Sequence, residues 1–599
     1  MKQFQKIGLA AAVATVAAGA VADGVTSVSR SETGDLAIIP YYTVMDGVNT
    51  GMHIINTTSS TQVVKVRLRR GTDSKDALDF NLVMSPRDEW TANIGAGGAN
   101  GVLVTTNDTT CTVPEFPAGG APMPFTFSEG ATEGYVEIIA MAQTATELEP
   151  IAVAAKHAAG TPADCASVRQ NFYRVAAGSV GTASVRGTHT SNQTSNAACA
   201  SAGASTACGA TGATNLSNYV DSDDNALKVS FMLTDPAGGL EAGDNAVHIE
   251  SFAAAAMMTN QQPLSFGTDG LLNYDPLNFE LPNLAYGAYA SSISGSSVRA
   301  DAITASMIDG SMWAGVSNAI DSDAIANDWA AFSTADGTVH ADWVVTLPGQ
   351  YVMTNPICDI YSNYPEANVT ANVACGLNST QAAAITAVAA IDGYVTAVAA
   401  YSALGGDDRN QLPLVVASNV DGGELVSGSN MNLWDREELS LAGTETPPDT
   451  VDDELGFSPS GNSGEPNDPD ITVVLPNEVN VIAFGDADSS TAVMSDLKLS
   501  VTPPEGSDRG WGRLDIQSSN ATPMRWNLTG TDDGNVDPVF SATNLVTGAS
   551  GVGTFTATDA SDVGVVGFAI WQRSFAEQAG NYGRMVEHST IASSGGTVR

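Results

Sequence analysis

Positive charge is the scarcest property of this chain. Only 24 of its 599 residues are Lys or Arg, and seven of those are Lys, against 66 Asp or Glu. The formal charge is −42 at pH 7. A field of that sign repels nucleic acid and anionic membranes and draws divalent cations, so neither nucleic acid nor transmembrane insertion is expected. Histidine is rarer still. The six (His53, His157, His189, His248, His340 and His588) are scattered, and only Glu587-His588 sets an acid beside a histidine, which reads as a surface ion pair. Motif-borne enzyme chemistry is missing. The chain holds no H-E-x-x-H, P-loop, G-x-S-x-G elbow or dinucleotide fingerprint. Gly548-Ala549-Ser550-Gly551-Val552 comes near the elbow and lacks its last Gly. Carboxylate pairs for glycoside hydrolysis stay open, because so acidic a chain offers dozens of them.

Long apolar runs are confined to the beginning. Lys2 and Lys6 precede a small, apolar stretch from Ile7 to Val21 that ends Ala20-Val21-Ala22. It is about 15 residues long, short of the roughly 20 that a spanning helix needs. Basic start, apolar middle and small residues before Asp23 predict a secretory signal peptide over 1–22, cleaved after Ala22. Removing its two lysines takes the charge from −42 to −44. Cysteine is limited to six residues, none at tight zinc-finger spacing. In an oxidising compartment, pairing of neighbours is the simplest of several frameworks: Cys111–Cys165, Cys199–Cys208 and Cys358–Cys375.

What is present is β-pattern. Gln62 to Arg69 alternates Val64, Val66 and Leu68 with Lys65, Arg67 and Arg69, the period of a half-buried strand. Similar runs flank it at 35–42, 52–56, 78–83, 89–94 and 134–141, and recur at 227–233, 247–252, 342–347, 473–475, 479–484, 513–516 and 563–570, punctuated by Gly, Asn, Asp and Ser turns. Residues 301–332 mix helical and turn signals, and the Ala-rich stretch 380–401 predicts a helix. The expected fold is mainly β: several antiparallel, Ig-like β-sandwich domains with a few short helices and long acidic loops. The expected division is an N-terminal sandwich over 23–195, a Ser/Ala/Gly-rich linker over 196–216, a central β-rich domain over 217–440, an acidic Pro/Gly-rich linker over 441–470 and a C-terminal sandwich over 471–599.

The acidic residues divide into 44 Asp and 22 Glu. Asp favours turns, where its short carboxylate bonds the backbone or holds a metal. Four loops concentrate it: Asp221, Asp223 and Asp224; Asp321 and Asp323; Asp486 and Asp488; and Asp532, Asp533, Asn535 and Asp537 around Gly534. Calcium takes six to eight oxygens, and such loops supply several from one stretch, so they are the candidate calcium ligands. None completes the EF-hand pattern. Subunits this acidic repel one another, and close packing requires neutralisation by salt or divalent ions.

Several stretches resemble a known family: Gly34 to Tyr42, Leu78 to Leu82 with Ser85 to Trp90, Asp342 to Pro348, Trp434 to Glu438, Gly567 to Gln572 and Asn581 to Arg584. Together they resemble surface-layer proteins of marine Gram-negative bacteria, of the gammaproteobacterial type. The resemblance implies export to the cell surface, β-rich domains and self-assembly on the outer membrane with lipopolysaccharide or another outer-membrane component as partner. It carries over no catalytic residue. Trp90, Trp343, Trp434 and Trp571 read as core anchors. The leading expectation is therefore a non-enzymatic, structural subunit of an extracellular, calcium-assisted two-dimensional lattice. A secreted adhesin or biofilm-matrix protein is the alternative, and a secreted hydrolase a third.

Overall fold

The computed structural model describes most of residues 25–170, 219–257 and 308–348, the short stretches 282–284 and 287–288, and most of 426–435, 471–516, 524–529, 539–544, 550–551 and 564–591. The expected signal peptide, both linkers and the Ala-rich helix lie outside the described residues.

The chain is mainly β, with antiparallel sheets and three short helices among the described residues. The alternating runs become strands close to the expected places. A first sheet of eight strands runs Ser27–Val28, Val247–Glu250, Leu36–Thr43, Glu133–Thr144, Gln62–Arg70, Asp76–Met84 and Cys111–Val113, with Tyr219–Val220 also on Glu133–Thr144. A second, of six, runs Leu240–Asn245, Leu227–Asp235, Asn49–Asn56, Glu89–Ala96, Val102–Thr105 and Ala121–Pro122. A third, of ten, is centred on Ala324–Thr334 and Gly337–Thr346. It recruits Val426–Asp435, Ile471–Leu475, Val479–Phe484, Lys498–Val501, Arg509–Asp515, Val566–Phe575, Asn581–Glu587 and Ser589–Ile591. Among these pairings only Val479–Phe484 with Lys498–Val501 is parallel.

These sheets ignore the divisions read along the chain. The strands between 219 and 250 pair with strands of the first 144 residues, and strands on both sides of the 441–470 stretch share the third sheet. Pairing follows matching edges and apolar faces rather than proximity in sequence. One apolar core joins all three sheets. Trp90, Trp329, Trp343, Tyr41, Tyr42 and Tyr135 are its largest rings, fully buried. Each such ring removes about 150–250 Å² from water, an upper bound of about 4–6 kcal/mol. Phe231 of the second sheet meets Phe568 of the third at 5.7 Å between ring centroids. The Thr346 hydroxyl donates to the Pro40 carbonyl at 2.6 Å, and Val479 N–H donates to the Gly71 carbonyl at 2.8 Å.

The helices are local devices. Pro150–Ala155 opens on a proline, whose missing N–H loses nothing at a helix start. Cys165–Gln170 opens on Asp164, whose carboxylate accepts from Ser167 N–H at 3.0 Å. Met312–Ile320 falls inside the stretch read as mixed, and the 11-residue strand Ala324–Thr334 follows it directly. At Gly134, where Glu133–Thr144 runs beside Gln62–Arg70, an added Cβ would strike the Arg69 carbonyl, so only glycine allows that approach.

The strand Gln62–Arg70 departs from expectation. It is buried on both faces rather than one. Register explains how. Arg67 stands opposite Asp79 on one neighbour and Glu137 on the other. The cations on the polar face are buried because carboxylates arrive beside them.

Candidate functional site

Three features concentrate polar chemistry. The first is that buried ionic row. Lys65 Nζ lies 3.1 Å from Asp79 Oδ1, and Arg67 Nη1 lies 3.3 Å from Asp79 Oδ2. Glu137 takes Arg69 Nε at 3.1 Å and Arg67 Nε at 3.7 Å. Arg67 also donates to the Pro282 carbonyl at 3.2 Å, and Arg69 to the Ser74 carbonyl at 3.1 Å. Nothing in the row is more than 2% exposed. Such pairs do little for stability on balance, but removing one member is severe. Their effect is to take three of the scarce cations off the surface.

The second feature surrounds the disulfide. Cys111 and Cys165 are bonded, as neighbour pairing predicted. Cys199, Cys208, Cys358 and Cys375 lie outside the described residues. Beside the bond, His157 Nδ1 is 3.5 Å from Asp88 Oδ2 and 3.2 Å from Ser85 Oγ, and its Nε2 is 3.3 Å from Thr109 Oγ1. Burial pushes the Asp88 carboxyl up, and the neighbouring His157 pulls it part of the way back. An acid, an imidazole and a hydroxyl in line resemble a nucleophile relay. The oxyanion donor such a relay needs is not supplied by Thr110, whose N–H is held by Asp108 Oδ1 at 2.8 Å. Thr109 itself donates to the Gly160 carbonyl at 3.0 Å. These bonds tie the turns at 85–88, 108–110 and 157–160 to one another. A polar cleft of about 450 Å³ opens alongside, walled by 105–110, Thr112 and 115–120.

The third feature is a junction of carboxylates from remote segments: Glu32, Asp244 and Glu587. Burial pushes Asp244 and Glu587 up, and Glu587 is raised further by Asp244 and Glu32. Lys228, at 2.9 Å, holds Glu32 below the usual carboxylate range. No sequence pattern announces this group, because the three residues meet only through folding. His588, next to Glu587, is no surface ion pair. It is buried, with Nε2–H donating to the Val344 carbonyl at 3.0 Å and Nδ1 facing Asn327 Nδ2 at 3.0 Å. Burial lowers its pKa to about 4. The neutral ring alone satisfies both neighbours.

The expected calcium loops are placed in part. Asp221, Asp223 and Asp224 form the turn between Tyr219–Val220 and Leu227–Asp235. Asp223 Oδ1 accepts from Gln143 Nε2 at 3.0 Å, and the Asp223 carbonyl accepts from Ala226 N–H at 2.9 Å. Asp321 and Asp323 link the helix Met312–Ile320 to its strand, with Asp323 N–H donating to the Ile591 carbonyl and its own carbonyl accepting from Ile516. Asp486, Asp488, Asp532, Asp533, Asn535 and Asp537 lie outside the described residues. Among the described residues no three His, Cys, Asp or Glu side chains gather as a metal site.

Of the four tryptophans read as anchors, Trp90 and Trp343 are fully buried. Trp571 is half-buried beneath the Arg584 guanidinium, 4.7 Å from its ring. Trp434 is half-buried too and stacks on Trp511, which is exposed. Among the described residues no helix is long and apolar enough to cross a membrane. Comparison with protein-family models, curated proteins and solved structures gave no match.

Proposed function

We propose that this chain is an exported structural subunit of a bacterial cell-surface layer, assembled with calcium into a two-dimensional lattice on the outer membrane and held there by lipopolysaccharide or a similar component. The observation that carries the reading is the sorting of charge. Lys65, Arg67 and Arg69 are buried against Asp79 and Glu137, while Glu32, Glu89, Asp224, Asp328 and Asp508 stand exposed on a chain of net charge −42. Two unit charges 10 Å apart in water repel by about 0.4 kcal/mol, and a contact between two such surfaces multiplies that over many pairs. Monovalent salt screens the field over about 8 Å at physiological strength, whereas calcium bridges carboxylates directly. The mainly β architecture and the Cys111–Cys165 bond suit a protein working in an oxidising exterior.

The test is electron microscopy of the mature protein with calcium and with chelator, with and without lipopolysaccharide as template. Ordered sheets that form with calcium and dissolve on chelation are expected. Monodisperse particles under every condition would overturn the lattice. Replacing Asp532, Asp533 and Asp537 by Asn together is expected to weaken assembly while leaving the melting curve unchanged. The alternative, an adhesin or biofilm-matrix protein, is favoured by one observation, the exposed Trp511 indole stacked on the half-buried Trp434.

A further inference from the structure

We propose that the outer face of the third sheet carries a binding platform for the pyranose rings of an uncharged polysaccharide, centred on Trp434 and Trp511. Register sets the two tryptophans opposite each other on neighbouring strands, and Asp328 opposite Trp511 on its other side. Residues directly opposite in antiparallel strands share a face. Trp434, Trp511 and Asp328 therefore form one row across three strands. The indoles lie 4.1 Å apart between centroids and 12° from parallel. Stacking covers one face of each ring, yet Trp511 stays 37% exposed, the only tryptophan among the exposed large hydrophobics of the described residues.

The row is rigid because the core beneath it is bolted to it. Trp329 Nε1 donates to the Trp511 carbonyl at 3.1 Å, and Trp343 Nε1 donates to the Asp328 carbonyl at 2.8 Å. Gly512 lets the strand sit directly on the Trp343 ring, since a Cβ there would lie 2.8 Å from Leu433 Cδ2 and 3.3 Å from that ring. A fixed aromatic surface avoids the ordering cost of binding.

The charges around the row select the occupant. Arg513 Nε lies 2.7 Å from Asp515 Oδ1, and Arg509 Nε lies 3.4 Å from Asp508 Oδ1. Arg509 also covers the Phe332 ring at 5.0 Å. Both guanidiniums are locally neutralised, and Asp328 adds one exposed carboxylate. An anionic polymer or lipid headgroup thus meets no excess of positive charge. Sugar rings offer what fits: apolar C–H faces for the indoles and hydroxyls that both donate to carboxylates and accept from guanidinium. A second observation points the same way. Asn432, 4% exposed, precedes Trp434 by two residues on the same face and stands opposite Arg513. Its Nδ2 donor has no acceptor. A buried donor left open beside an aromatic surface is a place for a polar ligand.

The platform does not depend on lattice formation, so it is tested on the dispersed mature chain in chelator. The readouts are affinity electrophoresis and tryptophan fluorescence. The probes are dextran, mannan and laminarin as neutral polymers, alginate as the anionic one, and delipidated O-polysaccharide against polysaccharide extracted from the culture medium. Binding to at least one neutral polymer, weakened about tenfold or more by Trp511→Ala and less by Trp511→Phe, is expected. The last two probes assign the source as cell envelope or matrix. The proposal is overturned if no neutral polymer binds, if Trp511→Ala binds like wild type, or if alginate is preferred. Should Trp511→Ala melt early, Trp511→Phe, which keeps a ring on the strand, decides by the same comparison.

Discussion

Glu137→Gln is the sharpest probe of the buried ionic row. The amide keeps the shape of the carboxylate and removes its charge. Arg69 Nε at 3.1 Å and Arg67 Nε at 3.7 Å then lose the anion they share, at a position with no exposure. Breaking a buried pair from one side costs about 3–5 kcal/mol, because the remaining ions have already been stripped of water. The urea slope grows with the surface exposed and is about 5 kcal/mol/M for a cooperative unit of this size, so the unfolding midpoint falls by about 0.6–1 M. Unfolding is followed by near-UV circular dichroism and tryptophan fluorescence, the latter sensitive to Trp90 in the same core. A companion variant replaces Glu137, Arg67 and Arg69 together by Leu and leaves the Lys65–Asp79 pair balanced. It is expected to recover most of the loss, because its apolar side chains leave no ion stranded. A midpoint shift under about 0.2 M for Glu137→Gln would refute the argument, since it means water or another anion reaches the row. The same loss in the triple variant would also refute it and assign the effect to packing.

Three further outcomes follow from the geometry. Replacing Cys111 and Cys165 by Ala opens a link between residues 54 apart, which costs about 4 kcal/mol in the chain-entropy estimate and lowers the midpoint accordingly. Burial raises Asp342 to about 7, so its contribution is complete below about pH 4 and is lost as pH rises through 7. Asp342→Asn keeps an acceptor for Val493 N–H, bonded at 2.8 Å, and its melting temperature should fall less than that of wild type over that window. His588 titrates the other way. Its contribution is present above about 6.5 and lost as pH falls toward 4, and imidazole NMR at about pH 5 should still find it neutral.

The sequence made the strands legible wherever β-branched and apolar residues alternate, as in Gln62–Arg70, Leu227–Asp235 and Val479–Phe484. It failed at Ala324–Thr334 and Val426–Asp435. Their sequences, AIANDWAAFST and VSGSNMNLWD, are rich in Ala, Asn, Gly and Ser, which disfavour strands in isolation. Neighbouring strands supply the pairing that local preference does not. The two-sided burial of Lys65, Arg67 and Arg69 was invisible for a related reason. Alternation reports that one face is apolar, and says nothing of carboxylates that arrive from Asp79 and Glu137. The stacked indole pair is half legible: Trp434 stands out in the sequence, but its partner Trp511 comes from a strand 77 positions on, and only register unites them.

The segment 492–497 shows why the chain resists division into separate sandwiches. It crosses from Val479–Phe484 to the parallel strand Lys498–Val501, a connection that must leave the sheet and return. On the way it donates in both directions. Val493 N–H bonds Asp342 of the third sheet, while Ser495 Oγ and Asp496 N–H bond Glu133 of the first at 2.6 and 2.8 Å. Tyr41 completes the Glu133 shell at 2.8 Å. Both carboxylates are pushed up by burial, so both bind this segment in a setting that water does not rescue. Loss of the segment from either sheet leaves that sheet's own buried carboxylate, Asp342 or Glu133, short of donors. The strap therefore adds to the shared apolar core and to the Thr346–Pro40 and Val479–Gly71 bonds in joining the N-terminal sheets to the third, and the expected consequence is one cooperative unfolding transition rather than two.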